Sequence, residues 1–237
     1  MRGVAALFAI VSCSLCSVSV TGDDGVYDDR GAYLHRAQME LMKRRGRHKF
    51  ANEEMEALAF LVRFMPEADV EKLNVSFVVA NVIDAVSMRH SKRVPWAENV
   101  PWKLFLNDVL PYAALTERRD AWRSQFSDFL LPKLNRSSNN ASMAGLIEKI
   151  NTISWTIVDP PIKFIAAPPD QVNSYSPLQT MASHGASCTG LSVFLVDMLR
   201  SVGIPARSCG TPHWNHGKKE CPQGALFIQF FLIRYFF

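Results

Sequence analysis

The feature of the sequence that most constrains the fold is the segment from Cys188 to Gly203. Its apolar residues recur at helical spacing, which predicts a helix with one buried face. The members of that face are Leu191, Phe194, Leu195, Met198 and Leu199. Ser187 is a good N-cap, Arg200 suits the last turn, and Gly203 suits the C-terminal stop. Cys188 is therefore predicted to lie in the first turn of a buried helix.

A cysteine at the start of a helix has a chemical use. The helix dipole and the unpaired N–H groups favour the thiolate, which is the attacking form. The same N–H groups can stabilise an oxyanion during acyl transfer. Gly185, Ala186 and Ser187 are small and allow another group to approach closely. The alternative is a buried structural cysteine, and a nucleophile would also need a histidine and a group that orients it.

The region upstream of this segment, residues 30–158, is predicted to be mostly helical. Asn52 is expected to cap its first clear helix, Pro111 to interrupt a later one, and Pro132 to end the next. The predicted helices cover 52–65, 74–89, 104–115, 118–131 and 142–157. Packing roles are expected for Trp96, Trp102 and Trp122. Residues 159–180 are rich in proline and are predicted to be extended chain and loop.

The cysteine segment and its exit carry a family resemblance. The run "GASCTGLSVFLVDMLRSVGIPAR", followed by "GTPHWN", resembles the transglutaminase-like superfamily, whose core is papain-like. Residues 107–126 and 177–190 are similar to secreted members that have a helical N-terminal region. The resemblance implies an α+β fold, with a helical N-terminal region followed by a partial papain-like transglutaminase core. The segment "IPARSCGTP", which follows the cysteine helix, is expected to be an irregular strand or an edge strand because it contains Pro205.

The resemblance also implies a reaction. In this family the cysteine attacks a carboxamide, releases ammonia or an amine, and forms a thioester that passes its acyl group to an amine or to water. For this chain it implies that Cys188 is the nucleophile and that the substrate is a peptide or protein amide. The family's histidine lies on a strand after the "GTPxW" region, and an orienting aspartate lies on the next strand.

The end of the chain departs from that pattern. After Asn215 the sequence "HGKKECPQGALFIQFFLIRYFF" contains no Asn-His-x-Trp strand and no aspartate. His216 is the substitute base that we name for the site, and His213 and His184 are the other candidates. Our interpretation is that the sequence leaves the family pattern after about Asn215, through mis-splicing, intron read-through or a truncated gene model. The chain is then divided into four parts. They are a signal peptide at 1–22, a helical region at 23–158, a partial transglutaminase-like core at 159–215 and an atypical apolar tail at 216–237.

Three functional hypotheses follow from this mixture of features. The first is a cysteine enzyme of the transglutaminase type, with its activity limited by the missing histidine and aspartate. The second is a non-catalytic secreted binding protein, and the third is a nonfunctional truncated product.

No cofactor and no metal are expected, because the local set Cys209, His213, His216 and Cys221 does not have the spacing of a familiar zinc site.

The N-terminus predicts export. Arg2 precedes an apolar run at 4–20 and small residues follow it, which is typical of a secretory signal in residues 1–22; a membrane anchor is the alternative. Removal of the signal leaves Cys188, Cys209 and Cys221, an odd number, so at least one thiol stays unpaired within the chain. Sequons at Asn74, Asn135 and Asn140 support export weakly.

Charge is concentrated near the start of the helical region. Residues 30–49 contain seven Lys and Arg against one acid, Glu40. We interpret this as a solvated helix face, with a processing site or a contact to an anionic surface as the alternatives. The net charge of +4 does not indicate nucleic acid. Membrane contact is expected only through the N-terminal signal or the apolar tail, which is too short to span a bilayer but could pose as a lipid-anchor signal.

Overall fold

The computed structural model describes residues 29–46, 48–134, 142–166, 175–210 and 226–229. Within these ranges the protein is α+β and mostly helical, with ten helices and four short strands. No helix in the described ranges combines the length and the apolar character needed to cross a membrane. The predicted signal, the sequons at Asn135 and Asn140, and most of the tail lie outside the described residues.

The first six helices lie in the region that the sequence predicts to be helical. They are α1 (Asp29–Arg45), α2 (Ala51–Phe64), α3 (Glu67–Lys72), α4 (Val75–Arg89), α5 (Pro95–Glu98) and α6 (Trp102–Asp108). Apolar side chains from α1, α2, α4 and α6, among them Leu58, Val82 and Phe105, form a first buried core. Burial of such side chains is the main favourable contribution to the stability of this half.

A second core surrounds the cysteine helix. It is built by α7 (Arg123–Leu134), α8 (Met143–Ser154) and α10 (Cys188–Ser201), joined by Ala97 of α5 and by Val94, which caps α5. Phe194 of α10 meets Phe126 edge-on at 5.1 Å and lies 5.8 Å from Trp155, between ring centroids. The predicted apolar face of this helix is buried except at Leu191, which is partly buried. Residues 192–201 are all buried, so the helix is covered on every side and not on one face alone. Gly203 follows it with φ +77°, and its Cα faces the Ala97 methyl so closely that only glycine fits.

The four strands form two small sheets. Strand β1 (Lys163–Phe164) pairs in parallel with β2 (Gly185–Ala186), which leads directly into the cysteine helix. Strand β3 (Arg207–Gly210) follows that helix and pairs antiparallel with β4 (Leu226–Gln229). The edge strand predicted in "IPARSCGTP" is confirmed, and the apolar tail contributes its partner, which the sequence did not predict.

Several helix boundaries differ from the predictions. Helix α2 starts at Ala51, so Asn52 lies inside it and does not cap it. Helix α7 starts only at Arg123 and continues through Pro132 to Leu134, because a proline in the last turn removes just one helical hydrogen bond. Helix α6 ends at Asp108, before Pro111.

One helix was missed. The prediction of extended chain and loop for residues 159–180 is wrong for α9 (Pro177–Ala182). Ser176 and Gln179 form a reciprocal capping box, and Pro177 occupies the first helical position. The three tryptophans pack as predicted: Trp122 is buried, and Trp96 and Trp102 are partly buried against the two cores.

Candidate active site

Cys188 is the first residue of α10, as the sequence predicts. The side chain of Ser187 caps the helix, with its Oγ accepting the Gly190 N–H at 3.3 Å. The Cys188 side chain is half-buried and carries a free thiol. A sulfur atom at this point lies close to the positive end of the helix dipole, which favours negative charge there.

The segment before the cysteine is closely packed, which explains its small residues. Lys163 N–H donates to the His184 carbonyl at 3.0 Å and Ile165 N–H to the Ala186 carbonyl at 2.9 Å. A Cβ on Gly185 would come within 2.5 Å of the Lys163 carbonyl oxygen, so a larger residue would push the two strands apart. The β1–β2 pair therefore fixes the path of the chain into the first turn of α10.

Gly190 serves the same purpose inside the first turn. A Cβ at this position would lie 2.6 Å from the Ala186 methyl and 3.3 Å from the Tyr175 Cβ. Because Ala186 and Tyr175 are themselves buried, neither can move away easily. The tight contact holds the start of α10 against the segment that leads into α9.

His184 is the only histidine near the cysteine in sequence that the structure describes. Its backbone has φ +50°, which is uncommon for a residue other than glycine. Its Nδ1–H donates to the Pro160 carbonyl at 2.7 Å, which leaves Nε2 as the ring atom able to accept a proton. Within the described ranges the Cys188 thiol makes no hydrogen bond to a histidine or to an acid, so His184 is not paired with it in this state.

The other candidate partners lie elsewhere. His216, His213 and Cys221 lie outside the described ranges. Cys209 lies on β3 and is half-buried. Strand β4, beside it, has the sequence Leu-Phe-Ile-Gln and therefore carries neither histidine nor aspartate. Among the described residues, no group of three or more metal-ligating side chains comes together.

Buried arginines connect the cysteine helix to the N-terminal helices, and sequence reasoning missed this. Arg123 is 4% exposed and its guanidinium donates to the Asn81 side chain and to the carbonyls of Arg200, Val109, Leu110 and Pro111. Burial lowers the pKa of Arg123 to about 9. The guanidinium satisfies carbonyls at the end of α6 and at the end of α10 together, and so joins the two halves.

Arg200 strengthens the same junction. It was predicted to suit the last turn of the helix, yet it is buried and turns away from solvent. Its guanidinium donates to the carbonyls of Asp108, Ala206 and Ala113 at 2.8 to 3.2 Å. Arg207, at the start of β3, donates to the Asp108 carboxylate at 2.7 Å. The only sequence signal for this network is the presence of arginine within otherwise apolar helical faces.

Asp197 is the unusual member of α10. Its side chain is completely buried, and neither carboxylate oxygen has a hydrogen-bond partner among the described residues. Arg200 Nη1 lies 3.8 Å from Oδ1, but its hydrogen bonds go to carbonyl groups instead. Burial therefore outweighs the nearby positive charge and raises the pKa of Asp197 well above its ordinary value. Its position in the core excludes it as the orienting acid for a base at Cys188.

Comparison with known proteins agrees with this arrangement. The model of the transglutaminase-like superfamily matches residues 141–233. Residues 141–233 are therefore similar to that superfamily. The matched segment includes α8, α9, α10 and all four strands, and Cys188 lies near its middle. No curated protein and no solved structure matches the chain.

The match extends past the residue at which the resemblance was expected to end. The family pattern was predicted to end at about Asn215, whereas the transglutaminase-like match continues to residue 233. The structure supplies a physical reason, because β4 in the apolar tail pairs along its whole length with β3. The tail thus takes part in the fold of the transglutaminase-like segment, although the residues expected for the histidine strand are absent from β4.

Proposed function

We propose that this protein uses Cys188 as the nucleophile for acyl transfer from peptide or protein carboxamides. The observation that carries the proposal is the free thiol at the first position of α10, inside the segment that matches the model of the transglutaminase-like superfamily. The predicted signal in residues 1–22 places this activity in the secretory pathway or outside the cell.

The reaction requires one covalent intermediate. The Cys188 sulfur attacks the carboxamide carbon, the C–N bond breaks, and ammonia leaves with the proton of the thiol. The thioester then passes the acyl group to an amine or to water, which regenerates the thiol. We assign to the first N–H groups of α10 the role of donors to the carboxamide oxygen as it gains negative charge, because such donors lower the barrier of acyl transfer.

The proton acceptor is the less defined part of the site. His216 remains our proposed substitute base, and His184 is the alternative within the described residues. The Nδ1–H of His184 is held by the Pro160 carbonyl, and this leaves Nε2 as the acceptor, which is the arrangement that a general base needs. In this arrangement the Pro160 carbonyl orients the His184 ring, so no aspartate is needed for that role. This suits a sequence in which no aspartate follows Asp197.

A second function is favoured by a different observation. The strand beside β3 carries Leu226–Gln229 and no histidine, so a non-catalytic secreted binding protein is the alternative to the enzyme. A nonfunctional truncated product is the third hypothesis, and a cooperative unfolding transition of the purified monomer would contradict it.

The enzyme is tested by incorporation of a labelled primary amine into a glutamine-containing protein, with ammonia release measured in parallel. We expect both activities in the wild type, loss of both in Cys188→Ala, and retention in Cys209→Ala, which removes the other described cysteine. Absence of both activities from a cooperatively folded wild type would favour the non-catalytic alternative. His184→Gln and His216→Gln, measured alongside, assign the base by the larger loss of rate.

A further inference from the structure

The charge of this protein is divided unevenly between one short segment and the remainder. Residues 30–49 carry seven basic residues and one acid, a net charge of +6, so the total of +4 leaves the other residues at −2. Such an asymmetry orients a protein near a negatively charged surface, because the segment 30–49 is attracted to negative charge while the remainder of the chain is not. This segment therefore attracts anionic surfaces.

Helix α1 shows where these charges lie. Tyr33, Ala37 and Leu41 are spaced by four residues and are buried in the first core. The opposite side of the helix is exposed and forms what we call the α1 ridge: His35, Arg36, Met39, Met42 and Lys43.

Two apolar side chains are exposed within this cationic ridge. Met39 is 56% and Met42 is 53% exposed, and their spacing of three residues places them side by side. Beside Met42, a pocket of about 300 Å³ opens between the end of α1 and the start of α2. Leu41, Met42 and Met55 form its apolar part and Arg45 lies at its edge, with Asn52 and Glu54 also in its lining.

The cations around this pocket have few acidic partners. Glu40 accepts from Arg44 at 2.6 Å, and Glu54 is paired with Arg45. Lys43 and Lys49 are exposed, and Lys49, in the turn after α1, also lies over the Phe50 ring at 5.2 Å. Among the described residues no acid forms an ion pair with either lysine. Positive charge therefore remains for an external ligand at the same end of α1 as the methionines.

We propose that the α1 ridge, together with Lys49 in the turn that follows α1, docks on an anionic lipid surface. Lys43 and Lys49 attract the lipid headgroups, while Met39 and Met42 enter the boundary between headgroups and acyl chains, as apolar residues of interfacial helices do. A nucleic acid or a sulfated polysaccharide would use the lysines but would leave the methionines exposed. The bilayer is the partner that uses both parts of the surface.

The position of α1 in the chain supports the same partner. The apolar run at 4–20, predicted as a signal or an anchor, ends shortly before α1 begins at Asp29. Any insertion of that run would bring α1 to the membrane surface. The ridge is nevertheless distinct from the signal and the tail, which are the two segments that the sequence predicts as membrane contacts, and it does not depend on chemistry at Cys188.

Vesicle co-sedimentation of the full chain tests this inference. Vesicles of phosphatidylcholine alone are compared with vesicles of equal parts phosphatidylcholine and phosphatidylserine. We expect binding to the anionic vesicles that weakens as salt is raised, because exposed charges are screened. Equal binding to both vesicle types would assign membrane contact to another apolar segment and would overturn the proposal.

Paired variants assign the contact to the ridge. Lys43→Gln with Lys49→Gln is expected to weaken anionic-vesicle binding roughly tenfold or more. The matched control, Lys72→Gln with Lys103→Gln, removes two exposed lysines from α3 and α6 and should bind like the wild type. If both pairs weaken binding equally, only the net charge matters and the ridge is not the site.

The methionines decide between a bilayer and other polyanions. Met39→Ser with Met42→Ser should weaken vesicle binding severalfold and leave retention on a heparin column unchanged. Phe64→Ser with Leu115→Ser, which changes two other exposed apolar side chains, is the control and should preserve vesicle binding. If the methionine pair leaves vesicle binding unchanged, the surface is a polyanion site and the lipid proposal fails.

Discussion

The two cores of this protein are stabilised in different ways. The first core, around Leu58 and Phe105, is packed from apolar side chains of helices that are close in sequence. The second core surrounds α10 and takes residues from positions 94 to 206. At its boundary with the first core lie the buried guanidinium groups of Arg123 and Arg200. The comparison shows that the cysteine helix is held by long-range polar contacts as well as by packing.

This difference has a consequence for the candidate site. Cys188 lies at the N-terminal end of α10. At the C-terminal end, Arg123 donates to the Arg200 carbonyl, and the Arg200 side chain donates to the Ala113 carbonyl. The helix is therefore fixed relative to α6 and β3 before any substrate binds. Changes in the first core away from Val109 and Leu110, the residues that meet Arg123, should affect stability more than they affect reactivity at the cysteine.

Replacement of Arg123 tests the polar junction most strongly. Arg123→Met fills similar space but leaves the carbonyls of Arg200, Val109, Leu110 and Pro111 without their donor. We expect a loss of roughly 3–5 kcal/mol in the free energy of unfolding, measured by urea denaturation. Arg118→Met, at an exposed arginine paired with Asp120, should cost no more than about 1 kcal/mol. Equal costs would remove the distinction between the two cores.

Added volume at the start of α10 tests the packing around the cysteine. Gly190→Ala places a methyl group 2.6 Å from that of Ala186, and we expect it to cost about 1–3 kcal/mol and to slow alkylation of Cys188. Gly145→Ala, in α8, meets nothing closer than the Ser142 Oγ at 3.5 Å. That control should be neutral or stabilising by up to about 1 kcal/mol, since alanine favours helix. A harmless Gly190→Ala would show that the first turn is loosely packed.

The smallest expected effect concerns Asp197 and pH. Its pKa is raised in the folded protein, so the folded state binds more protons than the unfolded chain once pH exceeds the ordinary pKa of aspartate. The contribution of Asp197 to the free energy of unfolding is therefore lost as pH rises from the ordinary pKa of aspartate to the pKa of Asp197 in the folded protein. Asp197→Asn should remove this loss, giving a melting temperature equal to the wild type's near pH 4 and higher at pH 8. A lower melting temperature at pH 8 would mean that the carboxylate is charged and paired.

Local signals in the sequence predicted the helices and the cysteine position well. Ser142 caps α8 and Ser187 caps α10, as expected from residue type, and the apolar spacing of α10 is confirmed by its burial. The residues of the capping box, Ser176 and Gln179, are visible in the sequence, but the prolines around them led us to predict a loop instead of α9. Such features depend on neighbouring residues alone, and they can be read from one sequence.

Long-range features were not predictable in the same way. The role of Arg123 depends on carbonyl groups from α6 and α10, which are far apart in the chain, and charge patterning alone suggests a solvated arginine. The pairing of β4 with β3 was missed because "ALFIQFFLIRYFF" lacks the alternation of a half-buried strand. The base for Cys188 could not be assigned, since it depends on which histidine the fold brings to the thiol.

The most direct test of the account is detection of the acyl-enzyme. The protein is mixed with a glutamine-containing peptide, quenched in acid, and analysed by mass spectrometry as the intact chain and as proteolytic fragments. We predict a mass increase equal to the peptide minus ammonia, located on the fragment containing Cys188 and removed by hydroxylamine. The adduct should be absent from Cys188→Ala. A folded wild type that never forms this thioester, or forms it only at another cysteine, would contradict the proposed role of Cys188.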